Sequence, residues 1–228
     1  MGRRTHAWVG AVVGAAAVTL GMVTPAQANG VVGAALVTSG VTALYEMNEA
    51  PGTTVMLDSS GNGNDGVVDP TGVESGGVYD GETGYNWVYR LPTEPPVSPE
   101  RIVQVPDDPV GSLEPTGQDF TLEVRVRFTD KFGNIIQKGQ SATVGGQWKI
   151  QSPSGIPSCL FKGSLGQVAT QAKGALDDGR WHNLACVLTS SGVTMYVDGE
   201  YQSTKAGDQG LMDNSLRVTI GGMSSYDE

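Results

Sequence analysis

The chain has 228 residues, 39% hydrophobic and 17% charged, with 33 Gly, 12 Pro and a formal net charge of −10. A chain this acidic is not drawn to phosphate backbones, which are held by clustered Lys and Arg, and anionic lipid surfaces are disfavoured for the same reason. Two histidines and two cysteines exclude a histidine-rich zinc site.

Arg3 and Arg4 open the chain, an apolar run rich in Ala and Gly follows over 7–23, and Ala26-Gln27-Ala28 is a small-x-small cleavage signal. This pattern reads as a cleaved export leader over 1–28 rather than a membrane anchor. The mature chain then has 200 residues, a net charge of −12 and no membrane span. That length suits one β-sandwich domain. In an oxidising compartment the even cysteine count argues for one disulfide, Cys159 to Cys186, worth roughly 3–4 kcal/mol in the chain-entropy model. Two buried free thiols are the alternative.

Residues 29–40 are small and weakly patterned and read as a flexible lead-in, so the domain occupies 41–228. From there no stretch carries a 3.6-residue period. Short alternating segments punctuated by Gly, Pro, Asn and Asp mark an all-β sandwich. The pattern predicts strands over 42–48, 66–68, 86–90, 101–105, 120–129, 133–138, 147–151, 158–162, 167–171, 181–189, 193–197, 200–204 and 215–220. Between the first two lies the Gly-rich turn Asp58-Ser59-Ser60-Gly61-Asn62-Gly63-Asn64-Asp65-Gly66, where tight turns need positive φ. The stretch 71–99 reads as loop-rich and gathers Tyr79, Tyr85, Trp87 and Tyr89. In 120–128, Phe120, Leu122, Val124, Val126 and Phe128 alternate with polar residues, a strand with one wet face. Leu184, Cys186 and Leu188, then Val193, Met195 and Val197, repeat that alternation in a hairpin flanked by Asp-Gly turns.

Gly179-Arg180-Trp181-His182-Asn183-Leu184-Ala185 with Val197-Asp198-Gly199 after the next strand resembles the hallmark hairpin of laminin-G-like domains. The Asp58–Gly66 turn, the strand from Phe120 and Ile135-Ile136-Gln137-Lys138-Gly139 are similar to further family motifs, in the same order. The resemblance covers nearly all of 43–222. It implies a two-sheet antiparallel jelly roll of the concanavalin A type, with the two cysteines on neighbouring strands. The sequence departs from the family twice. Arg125 stands where many members carry Trp, which argues for a more polar outer face. The chain also stops at Glu228 without the family's closing Phe-x-Gly-x-Ile-Asp strand, so the expectation is a clipped product or a sandwich with one unpaired edge.

Little in the chain suits bond-breaking. The acid pairs Asp80-Gly81-Glu82 and Asp198-Gly199-Glu200 are centred on Gly and read as turns, not as the paired carboxylates of a glycosidase. The mature chain's one histidine, His182, sits in the structural hairpin and reads as a satisfied structural residue. Calcium is a candidate cofactor, because Asp58, Asn62, Asn64 and Asp65 crowd oxygen ligands into one turn near Glu46 and Glu49. Tyr85, Trp87 and Tyr89 are candidate sugar-stacking residues, though their shared parity suits a core face better. Trp148 and Trp181 read as core. The resemblance implies a secreted, non-catalytic module that recognises an extracellular polysaccharide or cell-surface ligand. An atypical carbohydrate-active enzyme and a structural module without a discrete ligand are the alternatives.

Overall fold

The computed structural model describes residues 6–14, 40–70, 72–79, 81–88, 102–109, 111–129 and 132–222. Residues 6–14, 87–88 and 132 are described by backbone alone. The described residues form an antiparallel sandwich of two eight-stranded sheets with no helix. The strands are β1 (His6–Gly14), β2 (Val41–Tyr45), β3 (Val55–Met56), β4 (Gly66–Val68), β5 (Val73–Tyr79), β6 (Glu82–Val88), β7 (Val103–Val105) and β8 (Phe120–Phe128), continuing as β9 (Phe132–Lys138), β10 (Gln147–Ser152), β11 (Ser158–Gly163), β12 (Gly166–Gln171), β13 (His182–Thr189), β14 (Gly192–Val197), β15 (Glu200–Ala206) and β16 (Val218–Ile220). One sheet runs β15-β14-β13-β8-β1-β6-β5, with β2 also paired to β1. The other runs β12-β11-β10-β9-β16-β7-β4-β3.

Alternation sets which face turns inward. In β8 the side chains of Phe120, Leu122, Val124, Val126 and Phe128 are buried, as are Leu184, Cys186 and Leu188 of β13 and Val193, Met195 and Val197 of β14. They meet Ile135, Ile136, Trp148, Ile150 and Phe161 of the facing sheet in one apolar cluster. Phe120 stands edge-on to Phe161, with ring centroids 6.4 Å apart, a geometry that aromatic quadrupoles favour. Trp148 is fully buried, and its indole N–H donates to the Leu113 carbonyl at 2.8 Å.

The disulfide joins Cys159 of β11 to Cys186 of β13, with Cα atoms 5.7 Å apart. Those strands belong to opposite sheets, not to neighbouring positions in one sheet, so the bridge pins the two layers face to face. The β14–β15 turn also follows its sequence. Asp198 and Gly199 both take positive φ, +52° and +79°, the conformation a two-residue hairpin needs to match strand twist.

Three elements differ from the sequence reading. The stretch 71–99 contains all of β5 and β6, whose alternation is masked by Gly76, Gly77, Gly81 and Gly84 and by an irregular register between Glu74 and Gly77. The two-residue β3 is too short to carry a period. The segment 6–14, read as the heart of an export leader, lies as β1 between β8 on one side and β6 and β2 on the other. Its register with β8 is unbroken from Ala7↔Phe128 to Gly14↔Thr121.

Candidate functional site

The Gly-rich turn brings the four predicted calcium ligands together, but as a hydrogen-bonded frame. Asp58 Oδ1 accepts the backbone N–H groups of Leu44 and Ser60, both at 2.9 Å. Its Oδ2 accepts the Ser60 hydroxyl at 2.8 Å and the Asn64 N–H at 3.0 Å. Both oxygens thereby spend their lone pairs on donors. Burial works to raise the Asp58 pKa, yet the bonds from Leu44, Ser60 and Asn64 together hold it below the ordinary value of 3.8. The Asn62 and Asn64 amides point their NH₂ groups at the carbonyls of Val41 and Thr42, and Asp65 Oδ1 accepts the Asp58 N–H. Positive φ at Gly61 (+86°) and Gly63 (+81°) lets the chain fold around that carboxylate.

Glu49 is equally engaged. It accepts the Leu57 N–H at 2.7 Å and the Tyr85 hydroxyl at 2.5 Å. Among the described residues no group of three or more His, Cys, Asp or Glu is placed to hold a metal ion. The donor set as folded does not fit calcium, which wants six to eight open oxygens.

Of the three predicted stacking residues, Tyr85 is corrected. It is wholly buried in the core, and burial followed by Glu49 pushes its phenol well above the ordinary range, so it remains a donor. Trp87 is described by backbone alone, and Tyr89 lies outside the described residues. His182 is satisfied, as expected. It is buried, with Nδ1 2.7 Å from Asp198 Oδ2 and Nε2 3.2 Å from Asp178 Oδ1. Asp198 also accepts the Asn183 N–H at 2.8 Å, so this acid of the Asp198/Glu200 pair serves the turn. Arg180, bonded to Asp178, holds the Asp178 carboxyl well below its usual range. Asp80 lies outside the described residues.

The surface that sequence reasoning missed lies on the outer face of the β8 sheet. Trp181, expected in the core, is only half-buried. Arg125 and Arg127 alternate outward from β8 and set their guanidinium carbons 5.6 and 5.4 Å from the Trp181 ring centre. Such contacts draw cations to an aromatic face. The indole N–H donates to the Tyr79 carbonyl at 3.3 Å, and Arg125 pairs with Glu82 at 2.9 Å. The Arg125 Nε is buried with no hydrogen-bond partner among the described residues. The signal in the sequence is the i, i+2 pair Arg125 and Arg127 on the wet strand face.

A separate cleft of about 540 Å³ is lined by Gln140–Val144 and Asn214–Leu216, hydroxyl, amide and apolar groups without a titratable side chain. Beneath the same end, the fully buried Lys138 is held by Asp107, Glu114 and the Leu216 carbonyl. Burial pushes the Glu114 carboxyl up, against the pull of Lys138.

The fold class is that of laminin G-like and lectin domains. Residues 101–228 match the Laminin_G_3 model, described as the concanavalin A-like lectin/glucanases superfamily, and the chain belongs to that family. No curated protein matches. Among solved structures, the binding domain of Paraclostridial Mosquitocidal Protein 1 is 16% identical with a TM-score of 0.54, over 76% of this chain and 44% of that one. The binding domain of Botulinum Neurotoxin DC in complex with SialylT is 14% identical with a TM-score of 0.46, over 76% and 43%. Domains LG4-5 of the mouse laminin alpha1 chain are 19% identical with a TM-score of 0.42, over 48% and 29%. The chain thus spans less than half the length of each of these relatives. An identity at the level of the mosquitocidal protein's binding domain speaks for the fold alone.

Proposed function

We propose that this domain is a secreted, non-catalytic binding module that recognises an extracellular glycan or cell-surface partner, and that it prefers acidic sugars. One observation carries the reading: on a chain of net charge −10, the half-buried Trp181 and the guanidinium groups of Arg125 and Arg127 gather on the outer face of the β8 sheet. An indole offers a flat apolar surface to a sugar ring, and guanidinium groups bond carboxylates through paired N–H donors. Catalysis finds less support. His182 is held between two aspartates, Asp198 serves a turn and Glu82 is paired with Arg125. The disulfide between the sheets supports an oxidising compartment, and among the described residues no helix is long and apolar enough to cross a membrane.

Pull-down of the secreted protein on a uronic-acid polysaccharide and on a neutral glucan tests this. The acidic polymer should retain the protein, with retention weakening at high salt. Arg127→Gln should lower retention at least about tenfold, the loss of one charged hydrogen-bonding group, while its melting temperature stays near that of the parent. No product sugars should appear. Equal retention of parent and variant would overturn the site, and release of reducing ends would overturn the non-catalytic reading.

A further inference from the structure

One row of the inner face breaks the apolar rule. Across the second sheet the register sets Val105 of β7, Val218 of β16, Lys138 of β9, Trp148 of β10 and Phe161 of β11 side by side. Directly paired residues turn to the same face, and all five are buried. Four are apolar. The fifth is an amine with no exposed surface, at a place where an unpaired charge is costly.

The chain brings that amine two carboxylates. Asp107 follows β7, and a turn then leads to Glu114. In it the Gly111 N–H donates to the Asp108 carbonyl at 2.8 Å, and Asp108 Oδ2 accepts the Ser112 N–H at 3.3 Å. Leu113, beside Glu114, is anchored by the Trp148 indole. Lys138 Nζ lies 2.5 Å from Asp107 Oδ1 and 2.7 Å from Glu114 Oε1, and it donates to the Leu216 carbonyl. Glu114 Oε1 meets the amine outside hydrogen-bonding angles and has no hydrogen-bond partner among the described residues. One ammonium facing two carboxylates leaves surplus negative charge in the core, and burial pushes the Glu114 carboxyl up, toward holding a proton. An ion pair between Lys138 and Asp107 still keeps two charges from water, and such pairs seldom recover the cost of desolvation. An amide between them carries no charge.

We propose that Lys138 and Asp107 join through an intramolecular amide bond, with Glu114 carrying protons between them. The neutral amine attacks Asp107 Cγ with its lone pair, and the N–C bond forms. Two of the three ammonium protons pass through Glu114 to one Asp107 oxygen, the C–O bond breaks and water leaves. Ammonium plus carboxylate become amide plus water, and the step needs neither oxidant nor activated acyl group. Contact between the two groups supplies the effective concentration that an unactivated carboxyl requires, and the dry surroundings oppose the reverse reaction. The Asp107 side chain is 26% exposed, which gives the water a way out. The new amide N–H keeps the Leu216 carbonyl as its acceptor, and protonated Glu114 donates to the new carbonyl. Because β16 lies between β9 and β7, the bond spans it and clasps three strands of one layer, where the disulfide ties layer to layer.

Peptide mapping of the purified, reduced protein tests this. Trypsin should leave the chain uncut after Lys138 and join its peptide to the one carrying Asp107, at about 18 Da below the sum of the two, the mass of one water. Separate peptides at full mass overturn the proposal and leave an ion pair. Asp107→Ala, at a partly exposed position, should restore cleavage after Lys138. A cross-link that survives this change makes Glu114 the acyl partner and overturns the assignment. Glu114→Gln should lower the cross-linked fraction at least about tenfold while the protein keeps its disulfide and cooperative unfolding. Complete cross-linking in that variant overturns the part given to Glu114. The map of the parent decides the bond whether or not Glu114→Gln folds.

Discussion

The two halves of the chain reach the same sandwich by different means. From β8 to β16 the strands are mostly six to nine residues long, join through short hairpins and alternate cleanly into the core, and the disulfide ties one layer to the other. From β2 to β7 several strands have only two or three residues, and side-chain acceptors hold the connections between them. Asp58 binds the backbone of Leu44, Ser60 and Asn64, Glu49 binds Leu57 and Tyr85, and Ser75 accepts the Gly52 N–H at 3.1 Å. Apolar periodicity builds the second half of the chain and point-to-point polar contacts build the first. Each should fail in its own manner.

The largest difference should follow from the bridge. Replacing both Cys159 and Cys186 by Ala frees a loop whose ends are 27 residues apart, which costs about 3.5 kcal/mol in the chain-entropy model. For a domain of this size that is a fall of about 10 °C in melting temperature. Urea unfolding of the oxidised and variant proteins measures it. A loss under about 1 kcal/mol would show that the core of the second half holds the layers together unaided.

A smaller effect is expected in the first half. Tyr85→Phe keeps the buried ring but removes the hydroxyl that donates to Glu49, leaving a partly buried carboxylate oxygen with one donor fewer. A loss of about 1 kcal/mol is expected, with exchange accelerating in β5 and β6 before it does in β13 or β14. Uniform acceleration would mean that the two halves open as one unit and that the contrast between them is not energetic.

The same contrast explains what the sequence discloses. The second half is legible because burial there follows a period of two: Phe120 to Phe128 and Leu184 to Leu188 announce both strand and face. Its His182 and Asp-Gly turns also read correctly, because local geometry demands them. Tyr85 is legible in part: its parity with Trp87 and Tyr89 suits a core face, where it lies, but its partner Glu49, 36 residues away, emerges only from the fold. Trp181 defeats such reading: pattern places it inside, but Arg125 and Arg127 hold it on the outer face. Acid residues in the 58–65 turn show ligand chemistry without showing that backbone N–H groups have already claimed it.

The smallest effects should come from that turn, and their sign separates a hydrogen-bonded frame from a metal site. Asp58 in the folded protein lies below its ordinary value of 3.8, so the unfolded chain takes up the proton first. Its contribution is fully present above that value and is lost as the pH falls through the lowered folded one. Stability measured from pH 5 downward should therefore decline, and the decline should be shallower in Asp58→Asn, which is weaker at neutral pH but has no carboxyl there to titrate. Calcium at millimolar concentration, or a chelator, should leave the melting temperature of the parent unchanged, since each Asp58 oxygen already accepts two bonds. A calcium-dependent rise would require those bonds to be surrendered to the ion. It would move the turn from a feature that closes the first half by itself to one that closes only when loaded.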